Sequence, residues 1–344
     1  MKKVLALILA LCMAFALAVP AYAADEEVSG PLVLYSSMTE FDLEALETCF
    51  NEVYPDVEIE VVSGSVGEYT SRIAAEADNP QGDVTWGGLC DSDGMTHEAL
   101  FEKWVSIHND EAMEGYSTPN GFYSMDHLST ICFCVNTELE EELGLDIRSY
   151  QDLLDPALKG KIASGDPTKS SSAWAELTNM LLVMGDEPYD EKAWEWVGEF
   201  INNLDGVQLS SSSAIYKGTY EGEYVVGVSY EDPCVSLLVD GGGDKVRLVY
   251  PSEGAVWLPA GVAIIKNAPN MDNAKLFLDW LISDEGQNEV AKTTARPVNP
   301  AIANTAKEMT PFSAINVVYE DMELCGTNKK AWQTRWTDMF TAAQ

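Results

Sequence analysis

The chain has 344 residues, 46% of them hydrophobic, with 56 acidic against 20 basic side chains. A net charge of −36 argues against nucleic acid and anionic membrane surfaces as partners, because both select basic patches. The length exceeds what one hydrophobic core usually fills, which predicts two domains.

The chain opens on Lys2 and Lys3, then an apolar run from Val4 to Val19, then the small-x-small pattern Ala21-Tyr22-Ala23. This pattern predicts a cleaved export signal over residues 1–23. The run is shorter than the ~20 apolar residues of a spanning helix and is closed by Pro20. Cys12 follows Leu11 inside the run, where lipid attachment would need a small residue. Removal of the signal leaves 18 basic against 56 acidic residues, or −38. The expected location is the periplasm or the outer cell surface. Six cysteines remain, at 49, 90, 132, 134, 234 and 325, and their spacing does not choose a disulfide pairing. Cys132 and Cys134 alternate on one strand face, so a bridge between them would be strained. No paired Cys-x-x-Cys and no His-x-x-x-His is present, which argues against zinc. Buried free thiols are the expectation.

Leu32 to Ser36 reads as a buried strand. Thr39 reads as an N-cap with Asp42 at N3, and Leu43, Leu46, Phe50 and Val53 recur at helical spacing until Pro55. Val57 to Val62 is the next strand, and a helix over 67–77 ends at Asn79-Pro80. Asp83 to Trp86 is a third strand, stopped by Gly87-Gly88. Later strands are predicted at Thr130–Val135, Lys161–Ala163, Val225–Tyr230, Val246–Tyr250 and Gly261–Ile265. Helices are predicted over 171–184, 190–203, 212–221 and 272–282. This alternation implies an α/β fold whose parallel sheets are covered by helices.

Two serine runs stand out, Ser170-Ser171-Ser172 and Ser210-Ser211-Ser212-Ser213, each where a strand gives way to a helix. Helix starts present free N–H groups and a partial positive charge, and serine adds hydroxyls without bulk. One serine suffices for capping. Two runs, with Ser36-Ser37 after the first strand, point to a cleft for a phosphate, phosphonate or carboxylate.

Several segments resemble extracellular solute-binding proteins related to ferric-ion binders. They are LVLYSS (32–37), GDVTWGG (82–88), GDPTKSSSAW (165–174), VVGVSYEDP (225–233), VYPSEG (249–254), GVAIIKNAPNMDNAKLFLDWLISDEGQ (261–287) and Arg296-Pro297-Val298. In order, they cover nearly the whole mature chain. The resemblance implies a two-lobed periplasmic-binding fold of type II, each lobe a mainly parallel sheet flanked by helices, with hinge crossovers near 130–136 and 250–260. One lobe would hold about 24–128 plus 256–305, the other 129–255 plus 306–344. It also implies the substrate-binding component of an ABC importer that acts as a monomer, needs no cofactor and delivers its solute to a membrane permease.

Branches of that family take ferric ion, thiamine, polyamines, phosphonates, phosphoglycerate or sugar phosphates. The ferric branch carries adjacent tyrosines after the strand at 225–229, where this chain reads Tyr230-Glu231-Asp232. Tyr230 and Glu231 could still give a ferric ion two oxygens, so iron stays open as an alternative. GDPTKSSSAW resembles the branch for phosphorylated organic solutes. In that reading Thr168, Ser170, Ser171 and Ser172 hold the anion, with Ser212 and Ser213 of the second run. Ser36, Ser37, Ser65 and Gly88 close on it from the other lobe. Glu231 accepts hydrogen bonds from sugar hydroxyls or an amine, and Trp86 or Tyr230 supplies an apolar wall. Lys169 and Arg296 are candidates to balance charge.

An enzyme needs a nucleophile, base or metal held together. Only His97, His108 and His127 are present, in no catalytic spacing, and neither G-x-S-x-G nor a phosphate-binding G-x-x-x-x-G-K-[ST] loop occurs. Gly241-Gly242-Gly243 lacks the Lys-Ser/Thr that such a loop needs. The many carboxylates leave a paired-acid hydrolase as the competing class. The expectation is a receptor with no catalytic residues.

Overall fold

In the computed structural model, residues 28–344 are described apart from Thr39 and Glu114. The predicted export signal and the Thr39 cap lie outside the described residues. The strands are β1 (Gly30–Ser36), β2 (Val57–Ser63), β3 (Val84–Leu89), β4 (Ser124–Asn136), β5 (Ile162–Ala163), β6 (Val226–Tyr230), β7 (Val246–Val249), β8 (Ala255–Ile264), β9 (Arg296–Pro297) and β10 (Val317–Val318). The helices are α1 (Glu40–Val53), α2 (Val66–Ala75), α3 (Asp91–Thr96), α4 (Thr137–Leu143), α5 (Ser171–Val183), α6 (Glu191–Leu204), α7 (Ser212–Tyr220), α8 (Glu231–Val239), α9 (Met271–Ile282), α10 (Asp284–Val290) and α11 (Met322–Ala342).

The strands join in the order β2-β1-β3-β8-β4-β6-β5, with β7 and β9 also on β4 and β10 on β8. β1 runs parallel to both β2 and β3, and β5 runs parallel to β6. Those pairs are linked through helices, as parallel neighbours require. β8 instead lies antiparallel to β3 and β4, and β4 antiparallel to β6, β7 and β9. The sheet is therefore mixed, because its two long strands enter between parallel units.

β4 connects the two halves. Its first part, Ser124–Thr130, pairs with β8, and its second part, Ile131–Asn136, pairs with β6 and β7. All 13 of its residues are buried. Leu128 packs with Tyr35, Tyr69 and Phe101, whereas Ile131, three residues on, packs with Trp194, Phe200 and Val226. β8 also serves both cores, with Val256 and Leu258 on one and Trp257 and Ala263 on the other. A further cluster beside the first core joins Leu32, Leu34, Phe50 and Trp86 to Phe277 and Trp280, where Phe50 and Trp280 meet edge to face at 5.2 Å.

Among the elements that exceed or escape the sequence expectation are β4, β8 and α8. β4 starts at Ser124 instead of Thr130, since Ser124, Asp126, His127 and Ser129 are buried although they interrupt the apolar run. β8 starts at Ala255 and passes through Pro259. α8 contains Pro233, yet Pro233 sits in the first turn, where no helical partner awaits its missing N–H. α8 carries Cys234 onto the face of β4 that holds Cys132 and Cys134, and the three thiols share one buried cluster as free cysteines. Among the described residues no helix is long and apolar enough to cross a membrane.

Candidate ligand-binding cleft

The starts of α2, α5 and α7, the turn after β1 and the end of β3 open on one cleft of about 960 Å³. That volume is in the range of small-molecule sites. Ser65 caps α2 in a reciprocal box: Glu68 N donates to Ser65 Oγ at 3.3 Å, and Ser65 N donates to Glu68 Oε2 at 2.8 Å. Ser170 caps α5, where Ala173 N donates to its Oγ at 3.4 Å. Ser211 caps α7, where Ala214 N donates to its Oγ at 3.3 Å. Each run thus spends one serine on the cap. Ser171 and Ser172 then form the first turn of α5 and line the cleft, as Ser210 and Ser212 do around α7.

Ser36 Oγ donates to Trp86 O at 2.9 Å and Ser37 Oγ to Gly87 O at 2.7 Å, which locks the β1 turn onto β3. The close approach needs glycine. Gly88 has φ +71°, and a Cβ there would collide with Ser37 Oγ. Asp166 accepts from Thr168 N at 2.9 Å and from Thr168 Oγ1 at 2.6 Å, and pairs with Lys169 Nζ at 3.0 Å. Burial works to raise its carboxyl, but these bonds hold it below the usual carboxylate range. Lys169 thus balances Asp166, and Lys329 of α11 lies 3.8 Å from Asp93.

A second lining group is acidic. His127 and Ser129 of β4, Asp42 of α1 and Asp232 of α8 all line the cleft. His127 Nδ1 lies 2.6 Å from Asp126 Oδ2, which also accepts from Trp86 Nε1 at 2.9 Å. Burial would lower the His127 imidazole, yet Asp126, Asp232 and Asp42 together raise its pKa to about 9. Burial, then Glu231 and Asp42, push Asp232 up to about 8 against the opposing His127 charge and the Ser129 hydroxyl. Asp232 Oδ1 and Ser129 Oγ are both buried, and the Ser129 hydroxyl lies beside the Asp232 carboxyl.

Of the residues singled out from sequence, Ser36, Ser37, Ser65, Gly88, Thr168, Ser170, Ser171, Ser172, Ser212 and Tyr230 line this cleft. Three do not. Ser213 lies just beyond the lining, 3.3 Å from Ser211 Oγ. Trp86 is 1% exposed, with its ring edge-to-face against Phe277 in the core. Glu231 is fully buried, held by Arg296 and by a short hydrogen bond from the Tyr250 hydroxyl. Trp174 and Trp257 supply aromatic lining instead. The reading from sequence missed Asp42, His127, Ser129, Asp232 and Trp257. The adjacent pair Glu231-Asp232 was its one signal for a carboxylate, but successive helix residues point about 100° apart, so order alone does not say which enters the cleft.

Residues 46–312 match the family model described as bacterial extracellular solute-binding protein. The chain belongs to that family.

A Haemophilus influenzae protein of uncharacterized role is 31% identical over 342 residues, covering 94% of each chain. A Salmonella typhi relative with the provisional name 2-aminoethylphosphonate-binding periplasmic protein is 23% identical over 82% of this chain and 79% of its own. Iron uptake protein A2 of Synechocystis is 27% identical over 78% of this chain and 80% of its own. The periplasmic binding protein AfuA of Actinobacillus pleuropneumoniae, solved with fructose-6-phosphate bound, superposes with a TM-score of 0.78 at 27% identity. The match covers 91% of this chain and 99% of AfuA. As a member of this solute-binding family, the chain has the periplasmic binding protein fold and is the solute-binding component of an ABC importer. The Salmonella relative and AfuA are both named as binding proteins.

Proposed function

We propose that this protein captures a small anionic organic solute, a phosphorylated sugar or a phosphonate, in the cleft and hands it intact to a membrane permease. The observation that carries this reading is the convergence of three serine-capped helix starts, α2, α5 and α7, on one cavity. Their N–H groups and hydroxyls suit a phosphate's oxygens, and a helix N-terminus favours its charge. Lys169 and Lys329 sit beside Asp166 and Asp93, so the helix dipoles and hydroxyls carry recognition. The fructose-6-phosphate held by AfuA and the phosphonate in the Salmonella relative's name support the same chemistry.

In this reading residues 24–128 plus 256–305 form one lobe and 129–255 plus 306–344 the other. β4 and β8 are the hinge strands between them, and closure traps the solute. The protein works as an exported monomer and transforms nothing. Mass spectrometry of the ligand retained through native purification, followed by calorimetry with that compound, tests it. A recovered phosphate ester or phosphonate that rebinds stoichiometrically is expected. Stoichiometric Fe³⁺ binding with a tyrosinate charge-transfer band, and no binding of any phosphate ester, would overturn it in favour of iron. Turnover of the ester would overturn it in favour of a hydrolase.

A further inference from the structure

We propose that Cys234 of α8 forms a disulfide with Cys132 of β4, leaving Cys134 beside them as a thiol. The bridge fastens the start of α8, the helix whose Asp232 lines the cleft, to the strand it packs on. The inference rests on the exported state in the reading above, because structural disulfides persist in oxidising compartments.

The six described cysteines are free thiols, and three of them share one place. Cys132, Cys134 and Cys234 are fully buried beside Val246, with Leu248 and Tyr250 packed against them. Cys132 and Cys134 both donate to the Cys234 sulfur, which holds the Cys234 thiol well below the usual thiol range. Burial and the donated bond push Cys132 up. The sulfurs therefore face one another. Among the described residues no three His, Cys, Asp or Glu side chains are placed to hold a metal ion, which removes metal binding as the use of this cluster.

Strand geometry selects the pair. Cys132 and Cys134 lie two residues apart on β4, about 6.6 Å along an extended strand. Disulfide Cβ atoms sit about 4 Å apart, so Cys234 is the partner that either strand thiol needs. Cys132 stands opposite Ser229 in the antiparallel register of β4 with β6, and Cys134 stands opposite Gly227. Directly opposed residues point to one face with their Cβ atoms about 5 Å apart. The Ser229 hydroxyl also lies beside the Cys234 thiol. α8 starts directly after β6, so its first turn sits at the Ser229 end of that strand, next to Cys132. The remaining cysteines stand on other elements, each donating to a carboxylate: Cys49 to Glu289 at 2.9 Å, Cys90 to Asp93 at 2.9 Å and Cys325 to Glu320 at 3.8 Å.

The reaction is thiol–disulfide exchange, with the protein disulfide of a thiol oxidase as the oxidant. The Cys132 thiolate attacks one sulfur of that disulfide, which forms a mixed disulfide and releases the oxidase's other sulfur. The Cys234 thiolate then attacks the Cys132 sulfur, closes the new bond and releases the second oxidase sulfur. Two electrons pass to the oxidase, and the two protons lost by Cys132 and Cys234 end on its dithiol. Both cysteines are fully buried in the folded chain, so the exchange takes place before α8 packs on β4. The closed loop spans about 100 residues, which removes much of the unfolded chain's freedom.

Thiol counting tests the proposal. Protein recovered without reductant from the compartment that receives it is unfolded, alkylated with iodoacetamide and weighed by mass spectrometry. The expected result is a chain without its leader that carries four alkylated thiols, rising to six after reduction. Peptide mapping should join Cys132 to Cys234. Protein refolded in reductant should melt about 5 °C or more below the oxidised form. The two forms carry the same side chains, so equal melting points would overturn the fastening role. Six alkylated thiols in a chain without its leader, or a bridge between any other pair, would overturn the inference and leave the anionic-solute reading standing. A retained leader with every cysteine alkylated would count against the exported state and the bridge together.

Discussion

The Arg296 guanidinium donates two hydrogen bonds of 2.6 Å to the Glu231 carboxylate, and both side chains are buried. Arg296 stands on β9, which pairs with β4 at Leu128, while Glu231 opens α8 beyond β6. This ion pair therefore ties together segments that pack on different parts of the sheet. Breaking a buried pair leaves one charge uncompensated, whereas replacing both partners removes the problem. Arg296→Met alone should destabilise the fold by about 3–5 kcal/mol in urea unfolding. The double variant Arg296→Met with Glu231→Leu should recover much of that loss. Equal losses in the single and double variants would show that the pair contributes through packing alone.

The start of α5 offers a test that separates binding from stability. Ser171 is the first helical residue after the Ser170 cap and lines the cleft. Ser171→Asp should lower affinity for an anionic solute by about tenfold or more, because it places like charge where the anion sits. An acidic residue at a helix start favours the helix itself, so the melting temperature should hold or rise. Loss of affinity together with a lowered melting temperature would point to misfolding instead.

The ligand-free protein should lose stability as pH rises. Glu176, buried within α5, is pushed by burial up to about 8, as is Asp232, and His127 is raised to about 9. All three have folded pKa values above their unfolded ones, so each binds more protons folded than unfolded. For the two acids the contribution is fully present below the unfolded carboxylate pKa and is lost as pH climbs through about 8. For His127 it is present below the unfolded imidazole value and is lost through about 9. Thermal melts between pH 5 and 9 should therefore show a falling midpoint, and Glu176→Gln should flatten the slope. A midpoint that rises over this window would refute the assignment.

Much of the framework was legible because it is local. Leu32 to Ser36 is apolar on both faces, as a strand flanked on both sides by parallel neighbours must be, and it forms the centre of the β2-β1-β3 unit. The serine-rich helix starts announced themselves because capping chemistry is written within four residues. β4 was seen only in its second part. Ser124, Asp126, His127 and Ser129 read as polar sequence, but they are buried where β4 pairs with β8 and β9, which lie far away along the chain.

The amino-acid sequence by itself determined the alternation of strands and helices, the acidic surface and the anion-seeking helix starts, since each follows from neighbours a few residues apart. Tertiary structure alone decided which polar groups meet. It buried Trp86 against Phe277 and Asp126, engaged Glu231 with Arg296, and left Asp232 and Ser129 facing the cavity. The physical reason is that a carboxylate's role depends on the charge and water around it. Here that surrounding is assembled from α1, β4, α8 and β9, segments up to 254 residues apart in the chain, from Asp42 to Arg296.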